Sequence, residues 1–236
     1  QLTVGDGRTV IQSGDVCFAH ARCTIALDNT PDGGSHPAHI HFNTAAEGGG
    51  IAVSFTSVDG TTGMSKTNIA ALDDGTAITY SELLEFDGYV NVHLSVDDLA
   101  TLVAQGDIGQ NDLTGMSMSF DLGAVDIAGV TGNATFEERV NGETLVIISL
   151  SGISFLGDHP THIHAGAVAD APGDILISLS TVNDQGVSKT NVTANDTGDT
   201  ITYTDLVAID AYINVHNSAA DLATLVAQGN VGINAQ

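Results

Sequence analysis

The sequence predicts an all-β protein of two sandwich domains, each with one short helix. Three observations predict it. Short alternating apolar and polar segments are separated by Gly, Asn and Asp clusters, the pattern of strands joined by turns. The chain repeats itself at an offset of 123 residues: His36 to Gly109 matches His159 to Gly232 with 36 identities in 74 ungapped positions. The 236 residues suit two domains of ordinary size, each able to enclose its own core. Residues 1–111 are assigned to the first domain and 112–236 to the second.

In the first domain the expected strands are Thr9-Val-Ile-Gln12, Val16-Cys-Phe18 and Cys23-Thr-Ile-Ala-Leu27. A turn cluster follows, Asp28-Asn-Thr-Pro-Asp-Gly-Gly34. Next come the histidine motif and Ile51-Ala-Val-Ser-Phe-Thr-Ser-Val58, whose alternation buries one face. Asp73-Asp-Gly75 is a turn, Ala77-Ile-Thr-Tyr80 a short strand, and Tyr89 to Leu94 a longer one. The period then changes. Ser95-Val-Asp-Asp98 reads as a helix N-cap with an acid three residues on, Leu99, Leu102 and Val103 share a helical face, and Gly106 stops the run. This predicts a helix over 96–105, and its near-identical repeat another over 219–228.

Upstream of the motif the copies differ. The second has Met116–Leu122, Thr131–Phe136, an Asn141-Gly142 hairpin signal and Thr144–Leu150 as strands. Leu113 to Asp158 is 46 residues, against 35 before His36. The first domain is therefore expected to lack about one strand, leaving an edge for another segment or another molecule to fill. Gln1–Val4 and Val231–Gln236 are the candidate donors, and insertion into a neighbouring molecule would give a filament.

Five Lys and Arg against 29 Asp and Glu give a net charge of −24. Such a surface disfavours nucleic acid and anionic membrane and favours cations. No apolar run reaches the roughly 20 residues that span a bilayer. A start at Gln1 fits a processed N-terminus, and the composition fits a secreted protein. Asn133, Asn191 and Asn195 begin candidate glycosylation sequons. Cys17 and Cys23, with five residues between them, suit a disulfide across a hairpin. A metal site using His20 is the rival reading.

The candidate chemistry lies in the histidines. His36-Pro-Ala-His39-Ile-His41 recurs as His159-Pro-Thr-His162-Ile-His164, and each copy has a late histidine, His93 or His216. Residues two apart on a strand share a face, so His39 and His41 project together, as do Tyr89, Asn91 and His93 on theirs. If those strands are neighbours, three imidazoles converge, with His36 or His159 as a fourth candidate ligand. Imidazoles without thiolate suit copper or zinc, and also nickel; a structural polar cluster is the alternative. Asp28–Asp32 and Asn195–Asp199 offer oxygens that could hold calcium, though neither forms a full EF-hand loop. There is no nucleophile elbow and no phosphate loop, so the sequence offers no pattern for hydrolytic or nucleophilic catalysis.

These residues give the chain a resemblance. The His-x-x-His-Ile-His strand, the Tyr-Val-Asn-Val-His strand and a final Gly-containing strand resemble the CHRD domain over residues 8–111 and 113–234. The family's usual Gly-Glu-Ile-Arg-Gly-Gln ending is altered here to Gly106-Asp-Ile-Gly-Gln110. The resemblance implies a Greek-key, immunoglobulin-like sandwich, an extracellular setting and a metal site at His39, His41 and His93 and at His162, His164 and His216. The functions in view are an extracellular module binding copper, with zinc as the alternative, and a structural subunit of a surface layer, matrix or filament. A superoxide dismutase-like copper enzyme is the third; the −24 charge opposes steering of an anionic substrate to it.

Overall fold

The computed structural model describes residues 2–4, 9–13, 21–31, 33–152 and 157–235. The chain forms two compact units, residues 1–112 and 113–236. The first contains β1 (Leu2–Val4), β2 (Thr9–Ser13), β3 (Ala21–Leu27), β4 (Ser35–His36), β5 (Ala38–Phe42), β6 (Ile51–Ser54), β7 (Val58–Asp59) and β8 (Met64–Ile69). Helix α1 (Tyr80–Leu84), β9 (Asp87–Ser95) and β10 (Asp98–Gly109) complete it. The second contains β11 (Leu113–Ala124), β12 (Thr131–Arg139), β13 (Thr144–Ser151), β14 (His159–Ala165), β15 (Ile175–Val182) and β16 (Val187–Val192). Helix α2 (Tyr203–Val207), β17 (Asp210–Ser218) and β18 (Asp221–Gly232) follow. The class is all-β, and all the strand pairing is antiparallel.

The second unit is one eight-stranded sheet in the order β15-β14-β17-β18-β11-β12-β13-β16. Its end strands β15 and β16 lie side by side, so the sheet nearly closes on itself. Phe136, Val146, Ile148, Ile163, Ile213 and Val215 fill the interior with no exposed surface. The first unit has a four-stranded sheet, β10-β9-β5-β6, and a six-stranded one, β1-β2-β3-β8-β7-β4. Ile25, Ile40, Val58, Ile69, Val90 and Val92 pack between them. Each inward residue alternates with an outward one, which is why Ile40 is buried between His39 and His41.

Two expected elements are corrected. The predicted helices at 96–105 and 219–228 are the strands β10 and β18. Ser95-Val-Asp-Asp98 is a tight hairpin turn in which Ser95 pairs with Asp98 and the Asp98 N–H donates to Ser95 Oγ at 3.1 Å. The second copy makes the same turn at Ser218 and Asp221, also at 3.1 Å. A Ser-x-x-Asp sequence satisfies the N–H three residues on in a turn as well as at a helix start, and pairing along the full length of β9 and β17 decides for strand. The one short helix per unit lies elsewhere, in α1 and α2. Each starts with a capping box, Thr79 with Glu82 and Thr202 with Asp205. The strand expected at 77–80 therefore reduces to a single bridge, Ala71 to Ala77.

The second correction concerns the missing strand. The edge order β1-β2-β3-β8 repeats β11-β12-β13-β16, so the strand is present but short. Leu27 lies opposite Thr9 and Leu150 opposite Gly132, which equates Thr9 with Gly132 and Val4 with Leu122. Four residues lie between Val4 and Thr9, and nine between Leu122 and Gly132. Five of the missing residues belong to this hairpin, and the rest precede it. Both candidate donor segments are engaged in their own units: Leu2–Val4 pairs with β2, and Ile233 N–H donates to Ile209 O at 3.0 Å.

The expected Cys17–Cys23 disulfide is not formed. Cys23 carries a free thiol on β3, where its neighbours across the strands are Ser13 and Thr67. Ser13 thus takes the facing position that the hairpin reading gave to Cys17. Burial pushes the Cys23 thiol up to about 11. Cys17, His20 and the strand expected at 16–18 lie outside the described residues.

Candidate metal centre

The site forms because β5 lies directly beside β9. His39 sits opposite Asn91 and His41 opposite Tyr89, and the His93 N–H donates to Pro37 O at 2.8 Å, holding the late histidine beside the motif. In the second unit His162 faces Asn214 and His164 faces Tyr212. Val90 and Val92 point into the core, so Tyr89, Asn91 and His93 share the opposite face.

The three imidazoles of each unit converge. His39, His41 and His93 each offer one ring nitrogen within 4.8 Å of the others, and so do His162, His164 and His216. Ring centroids are 5.9, 5.3 and 6.4 Å apart in the first set. In the second they are 5.8, 5.2 and 6.3 Å apart. Two separately diverged stretches hold the same triangle to about 0.1 Å, which marks the spacing as a property of the scaffold.

Hydrogen bonds select the tautomers. His41 Nδ1 lies 3.0 Å from Gly49 O and His93 Nδ1 2.7 Å from Leu99 O. The matching contacts are His164 Nδ1 to Gly173 O at 3.0 Å and His216 Nδ1 to Leu222 O at 2.7 Å. A carbonyl only accepts, so these Nδ1 atoms carry the hydrogen and donate, and the Nε2 lone pairs are left for a ligand. His39 Nδ1, His41 Nε2, His162 Nδ1 and His164 Nε2 are buried with no hydrogen-bond partner. Buried polar atoms without partners are rare and call for an explanation. A metal ion supplies one, and the carbonyl bonds behind the rings are the usual supports of metal-binding histidines.

Aromatic stacking fixes the second ring of each site. His41 lies parallel to Tyr89 at 4.9 Å and 17°, and His164 to Tyr212 at 5.2 Å and 15°. Each tyrosine hydroxyl accepts from a loop amide, Gly49 N–H at 3.1 Å or Gly173 N–H at 2.8 Å. The same loop residue therefore holds both the imidazole and the ring beneath it.

Desolvation, followed by the neighbouring imidazoles, lowers the pKa of His39 and His162. His216 is also lowered, mainly by desolvation. These rings are accordingly held neutral, the form that ligates. Asp73 and Asp196 oppose the shifts of His39 and His162. Each carboxylate is anchored by the serine opposite its histidine: Ser54 donates through N–H and Oγ to Asp73, and Ser178 to Asp196. The sequence reading placed Asp73 only in a turn. Its signal was the matching Asp196 at the shared offset of 123. A paired bond from Gln105 to Asn91 and from Gln228 to Asn214 was missed for the same reason.

The other candidates fall elsewhere. His36 lies outside the cluster, with Nδ1 2.8 Å from Leu94 O and Nε2 3.3 Å from Pro31 O. His159 Nδ1 lies 3.1 Å from His216 O. Both tie the motif strand to the end of the late-histidine strand and are not brought in as fourth ligands. Asn195 Oδ1 accepts from the Thr197 amide and hydroxyl and from the Asp199 amide, the bonds of an Asx turn. Asp32 of the other acidic cluster lies outside the described residues. Asn191 is half-buried, accepting from Arg139 Nε at 2.8 Å and donating to Glu143 at 2.9 Å. Asn133 lies on β12.

Residues 118–221 match the CHRD domain family. The match runs from within β11 to the start of β18 and contains the whole second histidine set. No curated protein matches the chain.

Proposed function

We propose that this protein is an extracellular, non-enzymatic module that binds one transition-metal ion in each unit, copper first and zinc as the alternative. We read the two units as tandem CHRD domains on a Greek-key, immunoglobulin-like plan. The match to residues 118–221 and the internal repeat support that reading. The observation that carries the metal assignment is the convergence of three imidazoles in the same geometry in both units, two of them in each set with a buried, unpartnered ring nitrogen. His39 would ligate through Nδ1, and His41 and His93 through Nε2; His162, His164 and His216 repeat the set. A bound ion would supply Lewis acidity and, for copper, a redox couple. The chain's own carbonyls orient the rings of His41, His93, His164 and His216 by holding their Nδ1 atoms.

Strong acidity supports a place in an extracellular layer, matrix or filament. Elemental analysis of the isolated protein, with copper and zinc uptake by dialysis, tests the metal assignment. Two ions per chain are expected, and none in His41→Ala with His164→Ala. Full uptake by that double variant would overturn it.

A further inference from the structure

A polar row crosses the histidine face of each unit. In the first unit Ser54 lies opposite His39, His39 opposite Asn91, and Asn91 opposite Gln105. In the second, Ser178, His162, Asn214 and Gln228 follow in the same register. At one end the serine holds Asp73 or Asp196. At the other the glutamine holds the asparagine: Gln105 Nε2 donates to Asn91 Oδ1 at 2.9 Å, and Gln228 Nε2 to Asn214 Oδ1 at 2.8 Å.

The asparagine lies among the imidazoles. Asn91 sits between Tyr89 and His93 on one face of β9 and faces His39 on β5, and Asn214 stands likewise to Tyr212, His216 and His162. The two asparagines are only 8 % and 7 % exposed. The oxygen and nitrogen of a carboxamide diverge, and here the oxygen is taken on the β10 or β18 side. The Nδ2 group is thereby turned toward the histidines. Among the described residues nothing accepts from Asn91 Nδ2 or Asn214 Nδ2. Donors so deeply buried ordinarily have a partner.

The charge of the site calls for a partner of the same kind. Three neutral imidazoles leave a divalent ion its full charge and an open fourth position. No carboxylate among the described residues joins either cluster. Asp73 and Asp196 are engaged instead by the N–H and Oγ of Ser54 and Ser178. A charge withdrawn from water without a counter-charge is costly. An anion at the fourth position offsets that cost, and a donor aimed at the anion strengthens its hold. The net charge of −24 slows an anion's approach but acts weakly at contact, because charges beyond about 8 Å are screened at physiological salt.

On the basis of the metal reading, we propose that Asn91 and Asn214 complete an anion subsite. A small monovalent anion of the size of formate or azide takes the fourth position on the ion and accepts a hydrogen bond from the asparagine Nδ2. The rings close the other sides, so the ligand is small. Gln105 and Gln228 are positioning residues that keep the donor turned inward.

The test uses the full chain loaded with Cu(II), and azide as the probe. Uptake of two ions per chain is measured first, and failure there overturns the metal reading and this proposal with it. Azide added to the loaded protein should give a saturable charge-transfer band. Asn91→Ala with Asn214→Ala should still take up two ions and should bind azide about tenfold more weakly, the loss of one hydrogen bond to a charged group. Gln105→Leu with Gln228→Leu should weaken azide by a smaller factor, because the donor stays but is no longer held. A second measurement needs no variant. In ¹⁵N-labelled protein loaded with Zn(II), the side-chain amide signals of Asn91 and Asn214 should shift saturably with azide, and in the metal-free protein they should not. Two bound ions without an azide band, azide affinity unchanged in the asparagine variant, or asparagine signals that stay fixed while azide binds would each overturn the proposal and leave the metal assignment standing.

Discussion

Replacing His41 and His164 together by alanine separates the structural worth of these rings from their worth as ligands. Each loses one bond to a backbone carbonyl at 3.0 Å and one parallel stack on a tyrosine. A bond of that kind contributes roughly 1 kcal/mol and an aromatic pair about 0.5–1.5 kcal/mol. The metal-free double variant should therefore be less stable by roughly 2 kcal/mol in each unit. The ligand effect is larger and depends on concentration. An ion at 100 times its Kd stabilises the state it binds by about 2.7 kcal/mol, which for a unit of this size raises Tm by on the order of 10 °C. Thermal unfolding of the wild type with and without Zn(II) should show that rise, and the double variant should show almost none. Mg(II) at the same concentration controls for cation binding to the acidic surface, because it prefers oxygen ligands. A Zn(II)-dependent rise of equal size in the double variant would place the ion elsewhere and refute the reasoning.

Two further outcomes follow from the titrating groups. The folded-state pKa values of His39, His162 and His216 lie below the ordinary value near 6.5, so the unfolded chain takes up protons first. The stability that these groups contribute is fully present above about pH 6.5 and is lost as pH falls through it toward the lowered values. Urea midpoints of the metal-free protein should therefore fall between pH 7.5 and 5.5, and a flat profile would count against neutral, desolvated rings. Cys23, with its thiol pushed up to about 11, should resist alkylation at pH 8 in the folded protein and react at the ordinary rate in denaturant; equal rates would contradict its burial on β3.

The site was more legible in the sequence than the fold around it. A period of two fixes which histidines share a face, and the repeat at 123 residues shows which of them recur. Both are local or self-referential; bringing His93 beside His39 and His41 needed one further condition, that their strands are neighbours, which β5 and β9 meet. His36 was misassigned because sequence distance could not show its ring turned toward Leu94 and Pro31. The strands β10 and β18 were misread because a Ser-x-x-Asp turn and a helix start use the same side-chain bond. Leu99, Leu102 and Val103 also suit either period, and only the ladder to β9 resolves them. The true helices carry real capping boxes, but five residues are too few to display a helical period. The eleven-residue deficit was counted correctly and placed wrongly, because length alone does not distinguish a lost strand from a shortened hairpin.

The most direct test of the central claim follows the histidine ring nitrogens by long-range ¹H–¹⁵N NMR while Zn(II) is added. The account predicts that Nδ1 of His39 and His162 shifts, together with Nε2 of His41, His93, His164 and His216, saturating at two ions per chain. His36 and His159 should keep their signals throughout. Ring signals that stay fixed while zinc binds, or shifts at His36 and His159 in place of the six, would contradict it.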